Sequence, residues 1–259
     1  MAAEGVTPRA PSVWLRSPSR MTKIIRSLVT CMLFMAVSSQ ASVVIDGTRI
    51  IYPAQQKEVD VRLRNNGQKP VVVQSWLDTG DPRQSPDEIK APFVLMPPIA
   101  RLDDGHSQVL RLVYTGEPLA NDKESVFWLN VLEIPPKAKP VAGANALQFA
   151  FRSRIKLFFR PEKLPGKADD AMRQLSWKLG PQGSGYALEI SNPSAYFVSL
   201  AGVQLRADGR SLDAGDGMVA PGGTLSLPVR ELQHAPPQSS VHYVAIDDYG
   251  AQREFDKDL

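Results

Sequence analysis

Strict alternation of apolar and polar residues is the feature that most constrains this fold. Val59, Val61 and Leu63 are separated by charged side chains, and a period of two places the three apolar side chains on one face of an extended strand. Short strand-like runs recur along the chain and are separated by turn residues, which predicts an all-β fold. The other runs are 43–52, 71–77, 109–114, 126–134, 147–159, 174–179, 186–190, 196–205, 224–229 and 240–246. Only residues 117–124 have helical composition, and at most one helical turn is expected there.

A polar segment divides the chain into two halves. Residues 162–170 are broken by Pro and Gly and lack alternation, which is typical of a domain boundary. The 259 residues are enough for two β-sandwiches of about 100 residues each. We therefore predict domains at 42–161 and 171–259, with 162–170 as the linker.

The first 41 residues have the pattern of a secretory leader. Lys23 and Arg26 precede an apolar run over 28–37, and the small residues Ser39 and Ala41 follow it. This pattern predicts a signal peptide that is cleaved after Ala41. The run is about half of the roughly 20 residues that a bilayer-spanning helix needs, so no membrane anchor is expected.

Removal of the leader changes the charge of the chain. The leader contains five of the 30 basic residues and one of the 27 acidic residues, which leaves 25 and 26 and a net charge of −1. Nucleic-acid binding requires a concentrated basic surface, so no nucleic-acid partner is predicted. The leader also contains Cys31, the only cysteine, and the mature chain therefore lacks disulfides.

Catalytic patterns are missing from the sequence. The three histidines, His106, His234 and His242, are not spaced as zinc ligands, no serine lies in a nucleophile elbow, and no Gly-rich phosphate loop follows a strand. The prediction is a protein that is not an enzyme and has no metal or cofactor. A secreted carbohydrate-active enzyme remains open as a rival, because sequence does not reveal whether two carboxylates face each other across a cleft.

A long motif in the first half carries a family resemblance. Residues 119–136 read LANDKESVFWLNVLEIPP and resemble the motif of periplasmic pilus (fimbrial) assembly chaperones of the PapD-like family. Shorter matches occur in family order at 47–49, 97–98, 101–102, 155–161, 191–193 and 248–250. The short connection after Ile134 resembles the short-loop class. The resemblance implies two immunoglobulin-like β-sandwich domains in an L-shaped (boomerang) arrangement, located in the periplasm.

The resemblance assigns a donor strand near the end of the first domain. Leu147, Phe149 and Phe151 point to one face of an alternating segment, and alternation alone favours a core strand with this side inward. In the family, the corresponding strand is an edge whose large side chains enter the groove of an incomplete pilin subunit. Strand addition in either direction, parallel or antiparallel, is open at this point. A free edge with two phenylalanines also predicts a covered state, such as a self-capping oligomer, when no subunit is bound.

The resemblance also gives roles to five charged residues, which composition alone would treat as solvated surface residues. Arg49 and Lys156 match the basic pair that anchors the carboxylate at the subunit's C-terminus. Glu124, Arg160 and Asp248 match a charge network between the domains.

The predicted function is a chaperone that binds, folds and caps pilus or fimbrial subunits by donor-strand complementation and delivers them to an outer-membrane usher. The alternative is a secreted adhesin or receptor built from two immunoglobulin-like domains. That alternative would place the protein on the outer surface, and the sequence contains no anchor or sorting signal for that location.

Overall fold

The chain folds into two successive β-sandwiches in the computed structural model, which describes residues 42–136, 148–232 and 234–259. The first sandwich contains nine strands: β1 (Val43–Ile45), β2 (Arg49–Pro53), β3 (Val59–Asn65), β4 (Val71–Asp78), β5 (Phe93–Met96), β6 (Ile99–Leu102), β7 (Ser107–Tyr114), β8 (Ser125–Ile134) and β9 (Phe151–Arg160). A short 3-10 helix spans Pro86–Glu88.

Two sheets form this first sandwich. One has the strand order β1-β3-β7-β5 and the other has the order β2-β9-β8-β4-β6. The strand predicted from strict alternation is β3, where Val61 and Leu63 are buried and Asp60 and Arg62 are exposed. Its apolar face packs into the core between the two sheets, as a period of two requires.

The segment predicted as one strand over 43–52 is two strands in the structure. β1 pairs with β3, whereas β2 pairs with β9 in the other sheet. Gly47 lies between them with a φ of 104°, a backbone conformation that favours glycine. The chain uses this position to cross from one sheet to the other, which brings Arg49 to the start of β2.

The second sandwich begins after a single helical turn, α1 (Ala168–Ala171). Its seven strands are β10 (Ser176–Gln182), β11 (Gly185–Ser191), β12 (Val198–Ala207), β13 (Arg210–Val219), β14 (Thr224–Val229), β15 (Ser239–Ile246) and β16 (Gln252–Asp258). They form a three-stranded sheet, β10-β11-β14, and a four-stranded sheet, β13-β12-β15-β16.

Each sandwich has its own hydrophobic core. The first core runs from Val43 to Phe159 and the second from Ala171 to Ala245. No side chain in the predicted linker, 162–170, is buried. The fold is all-β with two sandwich domains, as predicted, while the domain limits stay a prediction.

Residues 117–124, for which at most one helical turn was expected, form no helical turn. Residues 121–123 form bends and the others are irregular, and the backbone N–H of Glu124 donates to the carbonyl of Ala195 in the second sandwich rather than to a helical partner. The helical turns that do form, the 3-10 helix and α1, are far shorter than the roughly 20 residues needed to cross a bilayer, so the described ranges contain no membrane-spanning helix.

Candidate functional site

Arg49 and Lys156 lie side by side where the two sandwiches meet. β2 and β9 are parallel, and their register pairs Arg49 with Lys156. The Arg49 Nη1 donates to the carbonyl oxygen of Ile246 in β15 at 2.9 Å, and the Lys156 Nζ donates to the Ser199 Oγ in β12 at 3.0 Å. Both side chains therefore extend from the first sandwich to the second.

This basic pair has carboxylates nearby but none in direct contact among the described residues. Burial lowers the pKa of Lys156, and the neighbouring Arg49 lowers it further, while Asp216 opposes the shift. Burial also lowers the pKa of Arg49, while Asp248 and Asp247 oppose the shift. Within the described ranges neither cation forms an ion pair with a carboxylate, and the buried Arg49 Nε has no hydrogen-bond partner there. Two adjacent cations with a free donor are suited to bind an anion, because Arg can grip a carboxylate through two bonds and Lys adds a point charge.

β9 has one open edge next to this pair. β8 pairs with β9 from Phe151 to Phe159, but β2 pairs only with the part from Lys156 to Arg160. Among the described residues, the backbone from Phe151 to Ile155 thus has a strand neighbour on one side only. An open edge of this kind can accept a strand from another chain.

The three predicted plug residues have different positions. The Phe149 side chain is 63 % exposed and precedes β9, while Phe151 is half-buried at the first position of β9. Leu147 lies outside the described residues. The exposed Phe149 and the half-buried Phe151 are not sealed inside the protein's own sandwich.

A buried carboxylate that the sequence prediction missed binds a side chain on the face of β9 opposite the predicted plug residues. The Asp78 side chain, at the end of β4, accepts hydrogen bonds from the Arg154 Nε at 2.9 Å, the Arg154 Nη2 at 2.5 Å and the Asn130 Nδ2 at 2.7 Å. Burial would raise the pKa of Asp78, but the bonds from Arg154 and Asn130 outweigh it, and the pKa is lowered. The Asn130 Oδ1 in turn accepts bonds from Arg152.

Aromatic rings extend this contact along the sheet. The guanidinium of Arg152 lies 4.9 Å from the Trp76 ring and that of Arg154 lies 4.1 Å from the Trp128 ring. Lys156 Nζ is 5.4 Å from Trp128. Arg152, Arg154 and Lys156 occupy every second position of β9. This spacing is the sequence signal that could have revealed a polar face opposite the predicted plug residues.

The three residues of the predicted interdomain network are in direct contact. Arg160, the last residue of β9, donates to Glu124 Oε1 at 2.6 Å and to both carboxylate oxygens of Asp248 at 2.6 and 2.8 Å. The Glu124 Oε2 accepts the backbone N–H of Phe197 in the second sandwich at 2.8 Å. Burial alone would lower the pKa of Arg160, but the two carboxylates raise it above its ordinary value.

No group of three or more His, Cys, Asp or Glu side chains is placed to hold a metal ion in the described ranges.

Comparison with known proteins gives a consistent result over both sandwiches. The family model described as "Pili and flagellar-assembly chaperone, PapD N-terminal domain" matches residues 42–165, and the one described as "Pili assembly chaperone PapD, C-terminal domain" matches residues 170–257. The probable fimbrial chaperone YadV of Escherichia coli K12 is 44% identical over 229 residues, which are 87% of this chain and 93% of that protein.

Solved structures are similar as well. The crystal structure of the YadV chaperone has a TM-score of 0.74 and 40% sequence identity, and the match covers 85% of this chain and 100% of that one. The Salmonella enterica SafB chaperone, solved in complex with the SafA pilin, has a TM-score of 0.70 and 28% identity over 86% of this chain and 99% of the matched chain.

Proposed function

Because this chain belongs to the PapD family of pilus assembly chaperones, we propose that it holds a pilus or fimbrial subunit by adding the open edge of β9 to that subunit's sheet. PapD-type chaperones and their complexes with pilins are established examples of the immunoglobulin-like sandwich and of strand addition. The observation that carries the proposal is the half-paired strand β9, preceded by an exposed Phe149.

The energies of such an addition are adequate. Burial of a large apolar side chain such as Phe149 or Phe151 contributes about 1.5–3 kcal/mol, and each strand-pairing hydrogen bond adds about 0.5–1.5 kcal/mol net. Association costs at least several kcal/mol in lost motional freedom. Two or three plugs and several hydrogen bonds together offset this cost and leave tight binding.

The basic pair gives the added strand its position and direction. We infer that Arg49 and Lys156 bind the terminal carboxylate of the subunit at the end of the open edge. The open edge runs from Phe151 to Ile155, which is the amino-terminal side of Lys156. A subunit strand that ends at the basic pair and lies along this edge must run in the same direction as β9, so the addition is parallel. Pinning one end also prevents a one-residue slip, which would turn every side chain to the wrong face.

Delivery to an outer-membrane usher completes the proposed cycle. We place the protein in the periplasm, as the predicted leader and the family imply, and the cycle contains no catalytic step of this chain. Release follows when another strand replaces β9 on the subunit. Between cycles the apolar edge is covered, for example in a self-capping oligomer.

Replacement of Phe149 tests the proposed strand addition. The tagged protein is purified from the periplasm of its native cells, and the polypeptides that accompany it are identified by mass spectrometry. We expect a fimbrial subunit with the wild type and at least a tenfold loss of it with Phe149→Asp, whose side chain is exposed and therefore dispensable for the core.

Val94→Asp is the matched control, because Val94 is a 44 % exposed apolar residue on the other sheet of the same sandwich. Undiminished subunit recovery with Phe149→Asp, or an equal loss with Val94→Asp, would contradict the proposal.

A further inference from the structure

Glu133 is a buried carboxylate that none of the interactions above uses. It lies one residue before the end of β8, and it is 7 % exposed. In the described ranges no Lys, Arg or His side chain forms an ion pair with it. A buried charge is costly unless a cation or several hydrogen bonds compensate it, so the groups that surround Glu133 identify its partner.

In the described ranges, the hydrogen-bond donors to the Glu133 carboxylate all belong to Ser42 and Val43. The Ser42 backbone N donates to Oε2 at 2.9 Å, the Val43 backbone N donates to Oε2 at 3.0 Å, and the Ser42 Oγ donates to Oε1 at 2.6 Å. The position of Ser42 is fixed by its surroundings. Its carbonyl accepts the backbone N–H of Asn66 at 2.8 Å, and Gly67 packs so closely that an added Cβ would lie 2.6 Å from the Ser42 Cβ.

Ser42 is also the residue that the sequence predicts to become the first of the mature chain. The apolar run over 28–37 and the small residues Ser39 and Ala41 predict cleavage between Ala41 and Ser42. The PapD N-terminal family model independently begins at residue 42. The predicted new amino terminus and the buried carboxylate thus lie within hydrogen-bond distance of each other.

We propose that Glu133 is the counter-ion of the α-ammonium group produced when a signal peptidase removes the leader. Hydrolysis of the Ala41–Ser42 peptide bond adds the hydroxide of a water molecule to the Ala41 carbonyl carbon and a proton to the Ser42 nitrogen. Ala41 leaves as a carboxylate, and the new amine takes up a second proton from solvent at neutral pH. A single neutral N–H donor beside Glu133 thereby becomes a cation with three donors.

The consequence is that leader removal stabilises the first sandwich. Charge-assisted hydrogen bonds are roughly twice as strong as neutral ones, and this bond is part-buried, with the Glu133 side chain almost fully removed from water. The pair ties the start of β1 to the end of β8, in the other sheet of the sandwich. The complete set of contacts forms only in the processed chain.

Amino-terminal acetylation tests this ion pair, because it removes the charge and leaves the sequence unchanged. The chain from Ser42 to Leu259 is prepared with a free amine or with the amine acetylated by an N-terminal acetyltransferase, which spares lysine side chains. We expect acetylation to lower the unfolding temperature of the first sandwich by on the order of 5 °C. In Glu133→Gln the same modification should change it by less than about 1 °C.

Glu189→Gln is the matched control, because Glu189 is an exposed strand residue in the second sandwich, and it should retain the full effect of acetylation. If Glu133→Gln fails to fold, the wild type and Glu189→Gln still test the proposal, because equal unfolding temperatures of their free and acetylated forms would contradict it.

A second measurement addresses the cleavage point. The full chain, exported with its leader, is purified from the periplasm and its amino-terminal residue is determined by mass spectrometry. We expect Ser42. A different first residue, or equal unfolding temperatures for the free and acetylated wild type, would overturn the proposal and leave Glu133 as an acceptor of neutral hydrogen bonds only.

Discussion

Two kinds of cation lie at the junction of the two sandwiches. Arg160 is bound by two carboxylates, one of them buried, and its charge is fully compensated. Arg49 and Lys156 are partly buried as well, but in the described part of the chain their hydrogen-bond partners are a carbonyl and a hydroxyl. Two adjacent, partly buried cations that have no carboxylate in direct contact lower the stability of the protein. The contrast supports the proposal that Arg49 and Lys156, rather than Arg160, bind the terminal carboxylate of the subunit.

Replacement of Lys156 by a neutral residue should weaken binding of the subunit without lowering the stability of the free protein. We expect Lys156→Met to weaken binding of a peptide copied from the carboxyl-terminal strand of a subunit by about 10- to 150-fold, the equivalent of one charged hydrogen bond of roughly 1.5–3 kcal/mol. The same variant should leave the free protein at least as stable, because burial and Arg49 both disfavour the charge of Lys156.

The peptide itself supplies the control for this experiment. With its terminal carboxylate amidated, the peptide should bind wild type and Lys156→Met equally, as measured by calorimetry. Lys178→Met, at an exposed strand position in the second sandwich, should bind the free-carboxylate peptide normally. Equal weakening for the amidated and free peptides would show that Lys156 does not contact the carboxylate.

At the scale of single elements, β9 combines two faces with different tasks. Its odd-numbered side chains lie on the same face as the proposed plug residues Phe149 and Phe151. On the other face, Arg152 and Arg154 bind Asn130 and Asp78 on the neighbouring strands. We infer that the contacts of Arg152 and Arg154 keep the half-paired part of β9, from Phe151 to Ile155, in an extended conformation. An edge strand without such contacts would tend to fray, because open backbone hydrogen bonds are the first to be lost.

Asp78→Asn should weaken the contact with Arg154 and lower the stability of the protein in a pH-dependent manner. At pH 7 we expect a loss of about 2–3 kcal/mol in the free energy of unfolding, because Arg154 is left without its carboxylate. The pKa of Asp78 is lowered from its ordinary value of 3.8 in the folded state. The stabilisation is therefore fully present above about pH 4 and is lost as the pH falls through the lower, folded pKa.

Urea unfolding at a series of pH values between 7 and 2.5 measures the effect. The difference between wild type and Asp78→Asn should stay constant down to about pH 4 and shrink below it. Asp103→Asn breaks an exposed pair of similar length, 3.0 Å to Arg101, and should cost less than about 1 kcal/mol at every pH. A difference that remained unchanged at pH 2.5 would mean that the charge of Asp78 does not hold Arg154.

Strand-like runs in the sequence predicted most of the strands, with strict alternation at β3, but did not predict β5, β6, β13 and β16. β13 contains Gly215 and Gly217, and β16 lies in the charged tail, so neither shows the period of two. Alternation also does not reveal whether both edges of a strand are paired. The open edge of β9 is therefore a property of the fold, and residues 148–150, which the alternation assigned to this strand, precede it.

Across the whole molecule, the site depends on residues that are distant in sequence. Glu124 and Asp248 are indistinguishable from surface carboxylates by composition, and only the family resemblance paired them with Arg160. Asp78, Asn130 and Glu133 received no role from the sequence, although Asn130 and Glu133 lie within the motif at 119–136, because a single polar residue within or at the end of a strand is most often exposed. Their roles follow from burial and from hydrogen bonds that join separate strands.

The contact between the two sandwiches should depend strongly on Arg160. Arg160→Met leaves Glu124, whose side chain is 1 % exposed, as a buried carboxylate without a cation, and loss of one partner in such a pair costs about 3–5 kcal/mol. Arg206→Met breaks a pair of nearly equal length, 2.7 Å to Asp256, but both of its side chains are exposed, so less than about 1 kcal/mol should be lost. Urea unfolding measures both free energies.

Removal of the carboxylates distinguishes a true network from a packing effect of the Arg160 side chain. If the loss comes from unpaired charge, the triple variant Arg160→Met, Glu124→Gln and Asp248→Asn should recover most of the stability, because replacing a whole buried ion pair by neutral groups is often close to neutral. A triple variant as unstable as Arg160→Met alone would assign the loss to packing. Recovered stability with impaired subunit binding would indicate that the charges orient the second sandwich, which supplies Ile246 and Ser199 to the basic pair.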